Sequence, residues 1–188
     1  MPTFYGEEQE RDAVMQAAKL MLVSARTAPK SGGVDDILTA LVYGEEKNVI
    51  AAEMSKMADE RGANFSFLER DAKNVRGSEV LLLIGVRGTK SFLNINCGGC
   101  GYPSCAKFEK VAKRSGQDFE GPTCVFKSLD LGIALGSAVK TASNLNIDNR
   151  IMYSIGTAAK RLNYLPEASI VIGIPLSAKG KSIYYDRE

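Results

Sequence analysis

Histidine is absent from the 188 residues of this chain. Ser-His-Asp triads and Cys-His pairs both need an imidazole to activate the nucleophile, so neither mechanism is available here. Metal sites and haem groups that depend on histidine ligands are excluded for the same reason. Any metal ion must therefore be bound through sulfur or oxygen.

Long hydrophobic runs are also missing. A membrane-spanning helix needs about 20 consecutive apolar residues, whereas the apolar runs here have the length of single strands, as in Val80–Ile84. The first residues, MPTFYGEEQERD, are acidic where a secretory signal would be basic. These features predict a cytoplasmic protein that does not bind membranes.

Charge and composition predict one ordinary globular domain. The chain has 24 basic and 22 acidic side chains, a net charge of +2, and no long basic run, so we expect no nucleic-acid partner. Its hydrophobic content of 45% is enough to bury a core. Because no repeat or linker divides the sequence, residues 1–188 are predicted to form a single domain.

Helical spacing of apolar residues recurs along the chain. It predicts helices over residues 8–28, 46–61, 103–115 and 125–143, and a further helix that begins with Asp148 as its N-cap. The segment 125–143 is apolar nearly all round, which predicts a helix buried in the core or in a subunit interface.

The apolar segments 78–86 and 169–174 are predicted strands, and Pro175 is expected to end the second of them. The segment 37–43 fits a strand or a helix, and its β-branched and aromatic residues favour a strand. The segment 78–86 is continuously apolar, which is typical of a strand covered on both faces. Helices and strands alternate along the whole chain. The predicted class is therefore α/β or α+β, with helices on both sides of a sheet.

The cysteines are concentrated in one window of 28 residues. They are Cys97, Cys100, Cys105 and Cys124. Disulfides are disfavoured because the chain lacks an export signal. Ordinary buried thiols are disfavoured as well, because three glycines and a proline lie among the first three cysteines, and this composition indicates a loop wrapped around a ligand.

Two metal sites fit four thiolates. A structural zinc site is tetrahedral and needs no histidine, but such sites usually have two short Cys-x2-Cys pairs. Three close cysteines and a distant fourth fit a [4Fe–4S] cluster better, since each cysteine binds a different iron. We therefore predict the four cysteines as metal ligands, within a segment spanning residues 95–126. Cys124 is expected to turn back towards the loop.

The loop glycines and two helix starts are predicted to support this site. Glycine allows positive φ and a close approach of backbone N–H groups to the sulfurs of an anionic cluster. Cys105 is expected in the first turn of one helix and Cys124 at the start of the next, where the positive ends of the helix dipoles would face the cluster.

The motif CGGCGYPSCAKFEK followed by GPTC resembles the four-iron domains of Rnf-type electron-transport subunits, corrinoid iron-sulfur proteins and carbon monoxide dehydrogenase/acetyl-CoA synthase proteins. The whole chain resembles a family of small uncharacterised proteins from anaerobes, described as containing a ferredoxin domain. This resemblance implies a [4Fe–4S] cluster and a redox partner protein. It supplies no reaction, and no catalytic residue is assigned.

Two other segments resemble flavin-dependent nitroreductases: ARTAP at residues 25–29, and residues 153–175, which end in LNYLPEASIVIGIP and resemble the helix, Leu-rich turn and late strand of that fold. This resemblance implies a nitroreductase-like mixed sheet flanked by helices, with the four-cysteine segment inserted, FMN as a possible cofactor and a possible homodimer. The Arg-Ser-x-Arg segment that grips flavin phosphate in that family is replaced by EEQER at residues 7–11. No flavin ligand is therefore named.

Three functions are open on this basis. The first is an iron-sulfur redox protein with one [4Fe–4S] cluster, acting in electron transfer or as a reductase. The second is a flavin-dependent oxidoreductase that uses the cluster as a relay. The third is a four-cysteine zinc scaffold or partner-binding protein.

Overall fold

The computed structural model describes residues 2–185. Within them, the α-helices are Gly6–Thr27 (α1), Glu45–Arg61 (α2), Phe67–Gly77 (α3), Cys105–Lys110 (α4), Val125–Asn144 (α5) and Tyr153–Arg161 (α6). The β-strands are Ile37–Tyr43 (β1), Val80–Val86 (β2), Arg114–Ser115 (β3), Glu120–Gly121 (β4), Asp148–Asn149 (β5) and Ile170–Ser177 (β6). None of the helices in these residues is long and apolar enough to cross a membrane.

The main sheet has the strand order β1-β2-β6-β5. Helices cover both of its sides, which confirms the predicted fold class. Every strand pair in this sheet is antiparallel, whereas a mixture of directions was predicted. Between β1 and β2 the difference has a simple cause. Helices α2 and α3 pack against each other and carry the chain across the sheet and back, so β2 starts where β1 ends.

Strand β2 lies between two hydrophobic cores, as its continuous apolar sequence predicted. Its even-numbered side chains, from Val80 to Val86, pack in the core formed with α1 and α5. Leu81 and Leu83 point to the opposite side, into the core formed with α2, α3 and α6. All seven residues of the strand are buried. Alternate side chains of β2 therefore pack against the helices on opposite sides of the sheet.

Helix α5 is buried on one side only, so it does not lie wholly in the core of the chain. The other predicted alternative, burial of its outer side in a subunit interface, stays a prediction. Leu131 and Ala138 contribute to the core with α1, whereas the side chains of Leu129 and Ile133 are 54% and 46% exposed. The reason is that α5 lies in an outer layer, beside α1 and over the sheet. Its apolar outer stripe consists of Leu129, Gly132, Ile133 and Gly136.

Helix α6 begins at Tyr153, later than predicted. Asp148 is not its N-cap, because Asp148 pairs with Ser177 as part of strand β5. The N-cap residue is Met152, whose backbone also exchanges two hydrogen bonds with Gly173. Pairing with β6 therefore holds this segment extended until the helix begins.

The prediction that Pro175 ends the last strand is wrong. Pro175 lies inside β6, which continues to Ser177. Residues two apart in an antiparallel strand direct their backbone groups to the same side. Gly173 directs its groups away from β2, towards Met152, so the nitrogen of Pro175 also faces away from β2. There the pairing with β5 is interrupted between Asn149 and Met152. The missing N–H of the proline consequently breaks no bond of the sheet.

Candidate metal centre

All four cysteines line one cavity. Cys97, Cys100, Cys105 and Cys124 line it together, with apolar side chains between them. All four are free thiols. The predicted return of Cys124 to the loop is therefore confirmed, while the role of the cysteines as metal ligands stays a prediction.

The exposure of the four thiols is graded. Cys97 is exposed, Cys100 and Cys105 are half-buried, and Cys124 is buried, with 8% of its surface accessible. The cavity thus has an open side at Cys97 and a closed end at Cys124. Among residues 2–185, no three Cys, Asp or Glu side chains have the arrangement of a site for a single metal ion.

Glycines shape the loop that carries the first two thiols, as predicted. Gly98 and Gly101 have φ angles of 75° and 85°, which few other residues adopt without strain. The N–H of Gly101 donates to the carbonyl of Gly98 at 2.9 Å and closes the turn. A Cβ atom on Gly99 would lie 2.6 Å from Cγ1 of Val125. The absence of a side chain at Gly99 therefore lets the loop lie against the first turn of α5.

Cys105 is the first residue of α4, as predicted, and two side chains hold it there. The Ser104 hydroxyl accepts a hydrogen bond from the N–H of Lys107 at 3.2 Å and caps the helix. The side-chain oxygen of Asn96 accepts the N–H of Cys105 at 2.9 Å. Because Asn96 precedes Cys97 in the chain, this bond ties the loop of the first two thiols to the third.

Helix α4 is shorter than the predicted helix over residues 103–115. It ends at Lys110 because Val111 is extended, with ψ at 134°. Beyond it, Arg114 and Ser115 pair with Glu120 and Gly121 in a two-stranded hairpin, β3–β4. Residues 114–115 thus pair with residues 120–121, which lie outside the predicted helix, and the helical spacing of residues 103–115 does not reveal this pairing.

Cys124 is the N-cap residue of α5, and its position confirms the predicted helix start. Its N–H donates to the carbonyl of Gly88, just beyond β2, at 2.8 Å. The N–H of Gly88 in turn donates to the hydroxyl of Ser169 at 2.8 Å. The buried thiol is thus fixed to the end of the central strand. Because the N–H groups of Cys105 and Cys124 are already used, donors to sulfur must come from other residues of the loop and of α5.

Apolar side chains form much of the cavity wall. Phe108 is fully buried, and its ring lies 6.2 Å from that of Tyr102. Nζ of Lys113 lies 3.7 Å from the centre of the Phe108 ring and donates to the Phe108 carbonyl at 2.8 Å. Leu93 and Phe126 complete this side of the wall. Such a wall limits water access, which is one way in which proteins tune the reduction potential of a metal site.

The β3–β4 hairpin between Cys105 and Cys124 is anchored to the helices on the other side of the sheet. Asp118, at its tip, accepts hydrogen bonds from the Arg61 guanidinium of α2 at 2.5 Å and from the Tyr153 hydroxyl of α6. The ring of Phe119 meets the ring of Tyr153 edge-on, with centroids 5.6 Å apart. These contacts fix the segment that leads to Cys124.

Asp118 also influences the ionisation of Tyr153. Burial raises the pKa of Tyr153, the hydrogen bond to Asp118 raises it further, and Arg61 lowers it. We expect Asp118→Asn to lower the pKa of Tyr153, because the negative charge beside the phenolate is removed while Arg61 remains. An ultraviolet titration measures the phenolate, and Tyr153→Phe assigns the signal. An unchanged pKa in Asp118→Asn would contradict this prediction.

The contact of Gly99 with Val125 gives a second prediction. Gly99→Ala is expected to push the loop away from α5 and to lower the amount of metal that the protein retains, because Cys97 and Cys100 flank Gly99. The control is Gly121→Ala, where an added Cβ meets nothing within 4 Å. Metal content per chain after reconstitution is the measurement. Equal metal content in the two variants would show that the contact is unimportant.

Comparison with known proteins identifies related chains. A family model described as "Uncharacterized protein containing a ferredoxin domain" (DUF2148) matches residues 120–187, which include Cys124. A protein of Archaeoglobus fulgidus, described as uncharacterised, is 51% identical over 178 residues, or 95% of this chain and 94% of that protein. The ferredoxin domain in the family description suggests a redox role and an iron-sulfur cluster.

Solved structures with a similar fold are FMN-containing oxidoreductases and nitroreductases. An oxidoreductase containing FMN has a TM-score of 0.55 at 14% identity, over 88% of this chain and 67% of that chain. Nitroreductase A from Vibrio parahaemolyticus has a TM-score of 0.52 at 12% identity, over 92% and 61%. An FMN-dependent nitroreductase from Clostridium difficile has a TM-score of 0.50 at 14% identity, over 91% and 80%. At this identity the likeness concerns the fold alone. The chain thus belongs to the family described as "Uncharacterized protein containing a ferredoxin domain", and its fold is nitroreductase-like.

Proposed function

We propose that this protein binds one [4Fe–4S] cluster and transfers single electrons. The observation that carries the proposal is the cavity lined by all four cysteines of the chain. Four thiols around a common space suit a cube, in which each thiolate binds a different iron. When bound, such a cluster supplies reversible one-electron oxidation and reduction.

The residues around the cavity control its exposure to water and its electrostatic field, and none of them is assigned as an acid or a base. Cys124 and Phe108 bury one end and exclude water, while Cys97 lies at the open side. An exposed side is what a one-electron carrier needs, because electrons must reach a partner. The first turn of α5 follows Cys124 and has no side-chain cap, so its N–H groups are available to stabilise negative charge on sulfur.

Anaerobic purification tests this proposal against the zinc alternative. We expect about four irons and about four acid-labile sulfides per chain, with a visible spectrum that bleaches on addition of dithionite. Zinc at one per chain, with neither iron nor sulfide, would overturn the redox proposal and favour a structural site. The preparation must exclude air, because exposed thiols oxidise once iron is lost.

A flavin-dependent oxidoreductase is the second candidate, and the fold is the observation that favours it. The basic residues in the last turn of α1 and just after it do not suit a phosphate, because their side chains already bind other groups of the chain. Arg26 binds Asp35 and the carbonyl of Ile37, and Lys30 donates to the carbonyls of Ala25 and Arg26. Acid denaturation of the same anaerobic sample decides this case. Release of about one FMN per chain would favour the enzyme, and a spectrum of the cluster alone would favour the carrier.

The outer stripe of α5 supports the proposal of a homodimer. Leu129 and Ile133 are exposed apolar side chains, and the neighbouring Gly132 and Gly136 would let a second surface approach closely. Analytical ultracentrifugation of the wild type and of Ile133→Glu measures this. A monomer at micromolar concentration for both chains would exclude the dimer.

A further inference from the structure

The segment around the cysteine cavity is more basic than the rest of the chain. From Gly88 to Gln117 it contains five basic residues and one acidic residue, a net charge of +4 in thirty residues, whereas the whole chain carries +2. The basic residues are Lys90, Lys107, Lys110, Lys113 and Arg114. Other residues separate most of these basic residues, so they do not form a continuous basic run in the sequence.

Most of this charge is not neutralised by the protein itself. Lys90, Lys107, Lys110 and Arg114 are exposed, and within residues 2–185 no ion pair includes any of them. The one acid of the segment, Glu109, accepts the backbone N–H of Ser91 at 3.0 Å. Elsewhere, cations such as Arg87 and Arg161 pair with glutamates at 2.7 and 2.6 Å. The cavity therefore lies in a positive local field.

The basic side chains are close to the thiols. Lys107 and Lys110 belong to the six-residue helix that Cys105 begins, so they lie within about 8 Å of it along the helix axis. Lys90 is held beside the same helix by the bond between Ser91 and Glu109. These separations are no larger than about one Debye length at physiological ionic strength. A charged group that approaches the open side is therefore only partly screened from them.

Two exposed apolar side chains accompany these charges. Phe92 and Ile95 are 56% and 55% exposed, and they lie on the strand-free segment that leads to Cys97. Transient interfaces commonly combine apolar side chains with a polar, charged rim. A nucleic acid or an anionic membrane would also account for lysines beside exposed apolar side chains, but neither exchanges electrons with a site that opens at Cys97.

We propose that this basic face, formed by Lys90, Phe92, Ile95, Lys107, Lys110 and Arg114, docks an acidic one-electron carrier protein. The inference rests on the proposed function and names the chemistry of the redox partner. In the complex, a cluster held by Cys97, Cys100, Cys105 and Cys124 would accept one electron from the reduced carrier or return one to the oxidised carrier, and no atom would be transferred. Opposite charges steer the encounter and raise the association rate, and the apolar pair adds contact at the centre.

Binding of an acidic plant-type [2Fe–2S] ferredoxin to the reconstituted protein tests the proposal. The double variant Lys107→Glu/Lys110→Glu is compared with the control Lys73→Glu/Lys140→Glu, which makes the same change of net charge at exposed lysines of α3 and α5. Lys140 lies about 24 Å along α5 from Cys124. We expect the first variant to weaken binding about tenfold or more, and the control to change it less than about twofold.

Kinetics with small mediators provide a readout that does not depend on the ferredoxin chosen. Added salt is expected to slow electron exchange with anionic anthraquinone disulfonate and to accelerate exchange with cationic methyl viologen. Charge reversal at Lys107 and Lys110 should reduce both salt effects. Equal salt effects in the two double variants would overturn the proposal, because net charge rather than the basic face would then decide.

Two further outcomes are decisive. Binding of a DNA duplex or of anionic vesicles with the same dependence on Lys107 and Lys110, without binding of ferredoxin, would overturn the choice of partner. Iron and sulfide are measured first in every variant. A protein that holds its cluster but does not bind ferredoxin contradicts the docking proposal alone, whereas a protein without iron contradicts the proposed function.

Discussion

Replacing Cys124 with serine is expected to lower the cluster content at least about tenfold, since changes even outside the ligand shell cost 10–100-fold in metal affinity. Cys124 is the most buried of the four thiols, and its backbone is fixed to Gly88, so no other residue can move into its place. The chain has no fifth cysteine and no histidine as a substitute. Iron and sulfide per chain, measured after anaerobic reconstitution, give the result directly.

The exposure of the thiols provides the controls for this prediction. Ser128→Ala, one turn further along α5, removes a hydroxyl that only bonds the Cys124 carbonyl at 3.4 Å, and it should retain the cluster. Cys97→Ala is expected to regain part of its iron when 2-mercaptoethanol is added, because the exposed side admits a small thiol. Cys124→Ala should not respond. Full iron content in Cys124→Ser would contradict the assignment of this residue as a ligand.

Gly156→Ala is expected to destabilise the fold by about 3 kcal/mol or more. Gly156 lies in α6 where the helix crosses β6, and an added Cβ would overlap the carbonyl oxygen of Val171. The obstructing atom belongs to the backbone of a paired strand, which no side-chain rotation can move. For a chain of this size the loss corresponds to a fall in the midpoint of thermal unfolding of about 6–12 °C.

Gly132→Ala is the matched control, because it makes the same change at another helical glycine. Nothing lies within 4 Å of a Cβ at this position on the outer stripe of α5. In the Ile133→Glu background, which removes the proposed dimer contact, alanine is therefore expected to stabilise the protein by up to about 1 kcal/mol, through its higher helix propensity. Thermal and urea unfolding, followed by circular dichroism, measure both variants. A Gly156→Ala protein as stable as the wild type would show that α6 does not lie this close to β6.

The sequence predicted most elements because their signals are local. Strand β1 has the predicted limits, Ile37–Tyr43, and α2 ends before Gly62, whose φ of 76° explains why glycine ends the helix. The secondary-structure predictions are wrong where pairing with a distant part of the chain determines the structure of a segment. Asp148 is a reasonable N-cap by composition, and only its pairing with Ser177 makes it a strand residue.

The candidate site shows the same division. Cys97, Cys100 and Cys105 were found because a close spacing is visible in the sequence, and Gly98 and Gly101 adopt the positive φ that their positions suggested. The anchoring of Asp118 was missed because its partners lie 57 and 35 residues away. The basic face was missed for a different reason. Its lysines do not form a run in the sequence, and only the fold brings the segment of Lys90 beside the helix that carries Lys107 and Lys110.

The position of β2 between two cores has a consequence for how the molecule opens. Because each face of β2 belongs to a different core, neither helical layer can separate without exposing this strand. Amide hydrogen exchange in β2 should thus require global unfolding. Within the part of the chain that the structure describes, residues 89–104 make no backbone hydrogen bond to the main sheet, so this loop can detach by a smaller fluctuation while the hairpin stays anchored through Asp118. Loss of the cluster would then loosen this loop and leave the main sheet and its two helical layers intact.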